Sequence, residues 1–465
     1  MVPVPELIAN YHILSRRIAS LPSELDAWIE WATVGNTLEK NFPQIEVLDH
    51  FMRRLCKLNE DSLNALDPGG DVNVFLGSAL DLSDSLVKSH IIWDFFRDRL
   101  GLRFVPQFQQ SLLMADLVSC DCYKTVMDRA KALRILPQHG FREYPLIGLA
   151  AEFFPATWPR GQRPPALQNH RLPIPVIDLP WDHLASPWEL LTIAHEVGHD
   201  VDEDLGRLTR ALLPAVAGQL SQAKTPLERI VQWQTWTSEI LADLVGILLT
   251  GPAFAGVLAA LLTWPTDQVR HISSVDEHPP PYLRVFINTA LVRRLGLSQS
   301  ADTLEASWKA LYGEPGDDFS SYLPEVEPVI SAILDTPLDA LRDRDGRRHS
   351  LSALIAFTHD DQARVEKAAA RLAAGALPDH LPIRHVVSAS QVAFERMAEA
   401  AHAAGLEMLA RSTRQAIVDL SPPVQLDAGL ASRRVRQHLD GLARAFLELP
   451  LDDFGIHYPT AKESR

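Results

Sequence analysis

"TIAHEVGHD" (192–200) sets two histidines, His195 and His199, four residues apart in a largely apolar segment, with Glu196 directly after the first. A helix start precedes them. In "SPWE" (186–189) Ser186 is placed as N-cap, Pro187 as first helical residue and Glu189 as the closing residue of a capping box. Gly206 is the expected stop. Helical positions four apart share a face. His195 and His199 therefore project together, with Trp188 and Leu191 extending that face. Two readings follow. The histidines are polar-paired members of a core, or their imidazoles converge on one metal ion at about 2.0–2.1 Å each. In the second, Glu196 stands where it can take a proton from water at the metal. Gly198 leaves one side of the helix bare, so another backbone can approach closely.

A second stretch bears on the choice. "TPLE" (225–228) predicts another capped helix start, and Gly251 and Pro252 end that helix. Its later half, "ILADLVGILL" (240–249), is apolar nearly all round, which predicts burial. Yet Glu239 and Asp243 lie in it, four apart and on one face. A buried carboxylate needs a cation, a metal or strong donors. The helix carries no basic residue after Arg229, so ion pairs would have to come from elsewhere. The histidine helix offers the complement: Glu239 as third metal ligand, and Asp243 as acceptor of a ligating imidazole's N–H.

"HEVGH" followed by "EILAD" resembles the gluzincin group of zinc metallopeptidases over residues 174–251. The resemblance implies a zincin-like core with a small sheet and one catalytic Zn2+ held by His195, His199 and Glu239. It also implies Glu196 as general base, Asp243 as the orienting carboxylate, and a peptide or protein substrate. Ser238 stands where many gluzincins have Asn. In that group an edge strand before the active helix docks substrate main chain as an added strand. "IPVIDLP" (174–180) and "PLIGLAAEFF" (145–154) are the two candidates, and Pro175 and Pro180 suit an edge. The proline-stiffened "DEHPPPYLR" (276–284) offers His278, Tyr282 and Arg284 for stabilising a tetrahedral oxyanion, His278 foremost. Its competing reading is a rigid turn in which Arg284 caps a helix.

The rest of the chain frames these motifs. It has 465 residues, too many for one typical core, and a formal charge of −15 with no dense basic run, which argues against nucleic acid. No apolar run approaches the length of about 18 residues that suggests a membrane span. Three cysteines give no disulfide framework and suit a reducing, cytoplasmic setting. Helical periodicity dominates, with helices expected near 5–20, 23–40, 44–65, 79–98 and 110–134 and a Pro/Gly-rich stretch over 135–185. The expected fold is mainly α (α+β): an N-terminal helical region (1–140), a zincin-like core (141–312) and a C-terminal helical region (313–465). Asp202, Glu203 and Asp204 are expected on a solvated helix end, with Asp200 beside the second histidine. Metal-assisted peptide hydrolysis is the leading expectation. Its alternatives are a helical scaffold with a structural or silent zinc site, and a hydrolase acting on another amide.

Overall fold

The apolar residues of the N-terminal third recur at helical spacing, and four long helices form there: α1 (Pro5–Trp31), α2 (Phe42–Asn64), α3 (Val72–Gly101) and α4 (Pro106–Ala132). α1 joins two expected helices, because Pro22 is accommodated inside it while Leu14, Ile18, Leu21, Leu25 and Trp28 keep one buried face. It then ends at Trp31, well short of residue 40. Asp71 starts α3 by accepting hydrogen bonds from the N–H groups of Asn73 (2.9 Å) and Val74 (3.1 Å). The computed structural model describes residues 5–33, 35–135, 143–164, 167, 171–273, 275–397, 403–420 and 433–448. The expected boundary at 140/141 and the end of the C-terminal region lie outside them.

A three-stranded sheet follows, of β1 (Leu146–Ala150), β2 (Ala156–Trp158) and β3 (Val176–Pro180), in the order β1-β3-β2. β3 is parallel to β1 and antiparallel to β2. "IPVIDLP" is thus the central strand, not an edge. Pro180 closes β3 opposite Ala150, and the Pro175 carbonyl accepts from Leu146 N–H, so both prolines sit at the ends of the pairing. Asp178 of β3 receives a two-pronged hydrogen bond from Arg99 of α3, at 3.0 Å and 2.6 Å, tying the N-terminal helices to the sheet. Gly148 of β1 lies under this pair, where any Cβ would strike the Asp178 carboxylate.

Beyond the sheet come α5 (Thr192–Asp204), α6 (Leu208–Gln222), α7 (Leu227–Thr235), α8 (Thr237–Thr250) and α9 (Pro252–Leu261). Then follow α10 (Thr266–Val269), α11 (Pro281–Arg294), α12 (Ser298–Tyr312), α13 (Gly316–Ser320) and α14 (Leu323–Asp335). A hairpin of β4 (Leu338–Arg342) and β5 (Arg348–His349) precedes α15 (His359–Ala373), α16 (Ile383–Met397), α17 (Ala403–Asp419) and α18 (Arg433–Leu447). Among the described residues, helices take 72% and strands 5%, so the chain is mainly helical with small sheets.

One apolar cluster runs from Leu112 to Ile417 and takes in α8 and α9 together with α14 and α16. It passes straight through the expected boundary at 312/313. A second cluster joins α1, α2 and α3 to one side of the sheet and to α18. Among the described residues, no helix is long and apolar enough to cross a membrane.

Candidate metal centre

α5 and α8 meet almost backbone to backbone. A Cβ on Gly198 would lie 2.7 Å from the Cα of Ala242, so the bare side anticipated at Gly198 is where α8 comes in. Each helix then presents a pair of residues one turn apart to the other: His195 and His199 from α5, Glu239 and Asp243 from α8. The local starts of both helices differ from expectation. Ser186 makes no side-chain cap, and Pro187–Leu191 winds as a tighter 3-10 turn. Trp188 there stacks on Phe394 of α16 (4.6 Å between ring centres) instead of continuing the histidine face. The Thr225 hydroxyl likewise caps nothing, and the expected single helix is cut at Trp236 into α7 and α8.

His195 and His199 bring their Nε2 atoms 3.3 Å apart. The nearest Glu239 oxygen is 3.4 Å from each: Oε2 from His195 and Oε1 from His199. A tetrahedron whose corners lie about 2.0–2.1 Å from its centre has edges of about 3.3–3.4 Å. The His–His and both His–carboxylate spacings are of that length, though the two histidines face different Glu239 oxygens, and the three residues constitute a group able to hold a metal ion, with ligand atoms within 4.8 Å of one another. Glu239 Oε2 is buried and makes no well-formed hydrogen bond among the described residues, with His278 Nε2 at 3.1 Å and Arg284 Nη2 at 3.6 Å beside it. A buried carboxylate oxygen in that setting is suited to a metal ion. Two imidazoles and a carboxylate are donors that suit zinc, and the residues present fit the group.

The support behind the triad is denser than the sequence reading foresaw. His195 Nδ1 lies 2.8 Å from Asp243 Oδ1. Asp243 also accepts Arg284 Nε at 2.7 Å, Arg284 Nη2 at 2.8 Å and Asn288 Nδ2 at 3.1 Å. Arg284 is thus the basic partner that α8 lacks in its own sequence, and its guanidinium is engaged with Asp243 instead of being free for an oxyanion. Its Nη2 stands 3.6 Å from Glu239 Oε2. Asn288 was missed. The available signal was its place one turn beyond Arg284, on the same face of α11. Tyr282 is not brought to the site. Its hydroxyl donates to the Gly313 carbonyl (2.7 Å), and its ring lies against Phe319. Two helical residues apart means about 200° around the axis, so Tyr282 and Arg284 cannot share a face.

His278 does reach the site, half exposed, with Nε2 3.1 Å from Glu239 Oε2 and its main-chain N–H held by Asp276. Glu196 is buried and lines the same cavity, of about 760 Å3, onto which the triad opens. The cavity's sheet wall is β2, a strand whose three residues are too few to show alternation in the sequence.

Charges follow from these contacts. Burial opposes charge on His195, but hydrogen bonds to Asp243 and Glu239 outweigh it and raise the ring to about 10. Burial and the neighbouring His195 lower His199 to about 4. Burial pushes Glu196 up to about 7. Burial would raise Glu239 and Asp243 too, yet His195 and His278 hold the first, and Arg284 the second, well below the usual carboxylate range.

In the acidic run after His199, Glu203 pairs with exposed Arg207 (3.0 Å), but the aspartates are not solvated. Asp204 accepts from Tyr123 (2.5 Å) and from buried Arg160 (3.0 Å). Asp202 accepts the Thr209 N–H (2.7 Å), and Asp200 is buried. Compared with known protein families, curated proteins and solved structures, the chain matches none.

Proposed function

We propose that the chain is a zinc-dependent hydrolase, a metallopeptidase with a zincin-like core. The observation that carries the reading is a convergent group of two imidazoles and a carboxylate, opening onto a cavity that Glu196 also lines. A structural site would be closed by a fourth protein ligand and would have no use for a base. Bound zinc supplies Lewis acidity toward a carbonyl and makes water at it more acidic.

The chain's own residues do the rest. His195 donates its Nδ1–H to Asp243, which would leave its Nε2 lone pair available to hold the metal. Arg284 and Asn288 fix Asp243, so the tautomer and the ring angle are set together. Glu196 accepts a proton from the attacking water and delivers it to the leaving amine. His278, at the mouth, donates toward the carbonyl oxygen as charge builds on it. β2 offers main chain along which an extended peptide can lie. Three free cysteines support a reducing compartment, the cytoplasm.

The test is a peptide mixture, read by mass spectrometry, with zinc-loaded protein and its Glu196→Gln variant. Cleavage by the native chain, and at least a hundredfold less by a variant that retains its metal, supports the reading. Equal cleavage by the two removes Glu196 from the chemistry. Cleavage of simple amides but of no peptide would make it a different amide hydrolase.

A further inference from the structure

Part of the cavity is lined by α9, whose sequence "PAFAGVLAAL" contains no charged residue. Phe254, Leu258, Leu261 and Leu262 all line the cavity. They stand at i, i+4, i+7 and i+8, a single helical stripe. The stripe begins at the metal centre, where the Phe254 ring lies parallel to His195 (interplanar angle 8°, centres 6.3 Å apart). Eight residues at 1.5 Å each carry it about 12 Å away. There Trp264, anchored by its Nε1 donating to the Leu261 carbonyl (2.9 Å), meets the ring of Phe154 at 6.0 Å. Phe154, which also lines the cavity, belongs to the β1–β2 connection, so this aromatic contact joins that connection to the far end of the stripe. The opposite face of α9 is packed: a Cβ on Gly256 would collide with Glu395 of α16.

An uncharged stripe that starts at a ligand ring and stops at an aromatic clasp is a side-chain pocket. Resting on the hydrolase reading above, we infer that α9 and the Phe154–Trp264 contact form the specificity pocket of that site, for a bulky apolar side chain next to the scissile amide. Leucine or phenylalanine fits it. An acidic side chain would lose its hydration against that stripe, in a cavity that Asp202, Glu203, Asp276 and Glu277 also line.

Hydroxamates separate this inference from the reading beneath it, because they bind through the metal whatever side chain they carry. Zinc-loaded protein is titrated by calorimetry with N-acetyl-leucine, N-acetyl-glycine and N-acetyl-aspartate hydroxamates. The leucine compound binds at least about tenfold more tightly than the glycine one, and the aspartate compound more weakly than either. Leu261→Asp brings the leucine-to-glycine ratio close to one while glycine binding is kept. Leu261→Trp fills the pocket and has the same effect on the ratio, without placing a charge there. A native ratio below about two, or one that neither variant moves, overturns the pocket and leaves the metal site standing. No binding of any hydroxamate would overturn the hydrolase reading, and the pocket with it.

Discussion

Asp243 carries most of the centre's internal order, since His195, Arg284 and Asn288 all bond to its two oxygens. Asp243→Asn should lower metal affinity about 10- to 100-fold, because the amide can no longer serve both the imidazole N–H and the guanidinium. Competition with a fluorescent chelator measures this. Arg284→Met should instead act on stability. It leaves a buried carboxylate without its main partner, at a cost of about 3–5 kcal/mol in urea unfolding. Were Arg284 an oxyanion donor alone, its loss would reduce turnover and leave stability unchanged. The two histidines, Glu239 and Asp243 were all legible as two one-turn pairs, because that spacing is a local property of a helix. Arg284 was legible as a residue but not in its role. Its partner lies 41 positions away in sequence, and only the packing of α11 on α8 reveals it.

Two helices must touch for the centre to exist, and Gly198 is where they do. Gly198→Ala should destabilise the protein by about 1–3 kcal/mol and weaken metal binding in parallel, because the clash is with backbone, which cannot swing aside. Thermal unfolding with and without metal checks both effects. A neutral variant would mean that α5 and α8 have room to separate. At the sheet, Asp178→Ala should cost about 2–3 kcal/mol by stranding Arg99, yet leave metal content unchanged. Of the two candidate edge strands, "PLIGLAAEFF" supplies β1 at an edge of the sheet, whereas "IPVIDLP" supplies the centre. Proline-flanked "IPVIDLP" carries the edge signals, but they mark the ends of a central strand. The true cavity-facing strand, Ala156–Trp158, is too short to show alternation. Helix starts misled for a related reason: serine and threonine at 186 and 225 fit the capping pattern, whereas tertiary packing of Trp188 and Trp236 sets the local backbone.

The largest core binds the centre to segments far along the chain. α16 and the turn at Pro187–Leu191 meet through Trp188 and Phe394, and Ser388 of α16 donates to the Thr250 carbonyl at the end of α8 (2.8 Å). A chain cut after residue 312 should therefore lose cooperative unfolding and bind no metal, as followed by calorimetry. A truncated chain that melts sharply and keeps its metal would show the C-terminal helices to be an appendage. Mainly helical architecture was legible from periodicity alone. The continuity of the core was not, because turn residues such as Gly313, Pro315 and Gly316 mark where the chain bends, not which faces later pack together.

The most direct measurement is the metal content of purified protein, native beside His195→Ala and Glu239→Ala, each checked for folding by near-ultraviolet circular dichroism. The account predicts about one zinc per native chain and a loss of about 90% or more in both folded variants. Equal metal in all three, or none in the native chain after zinc loading, would contradict it.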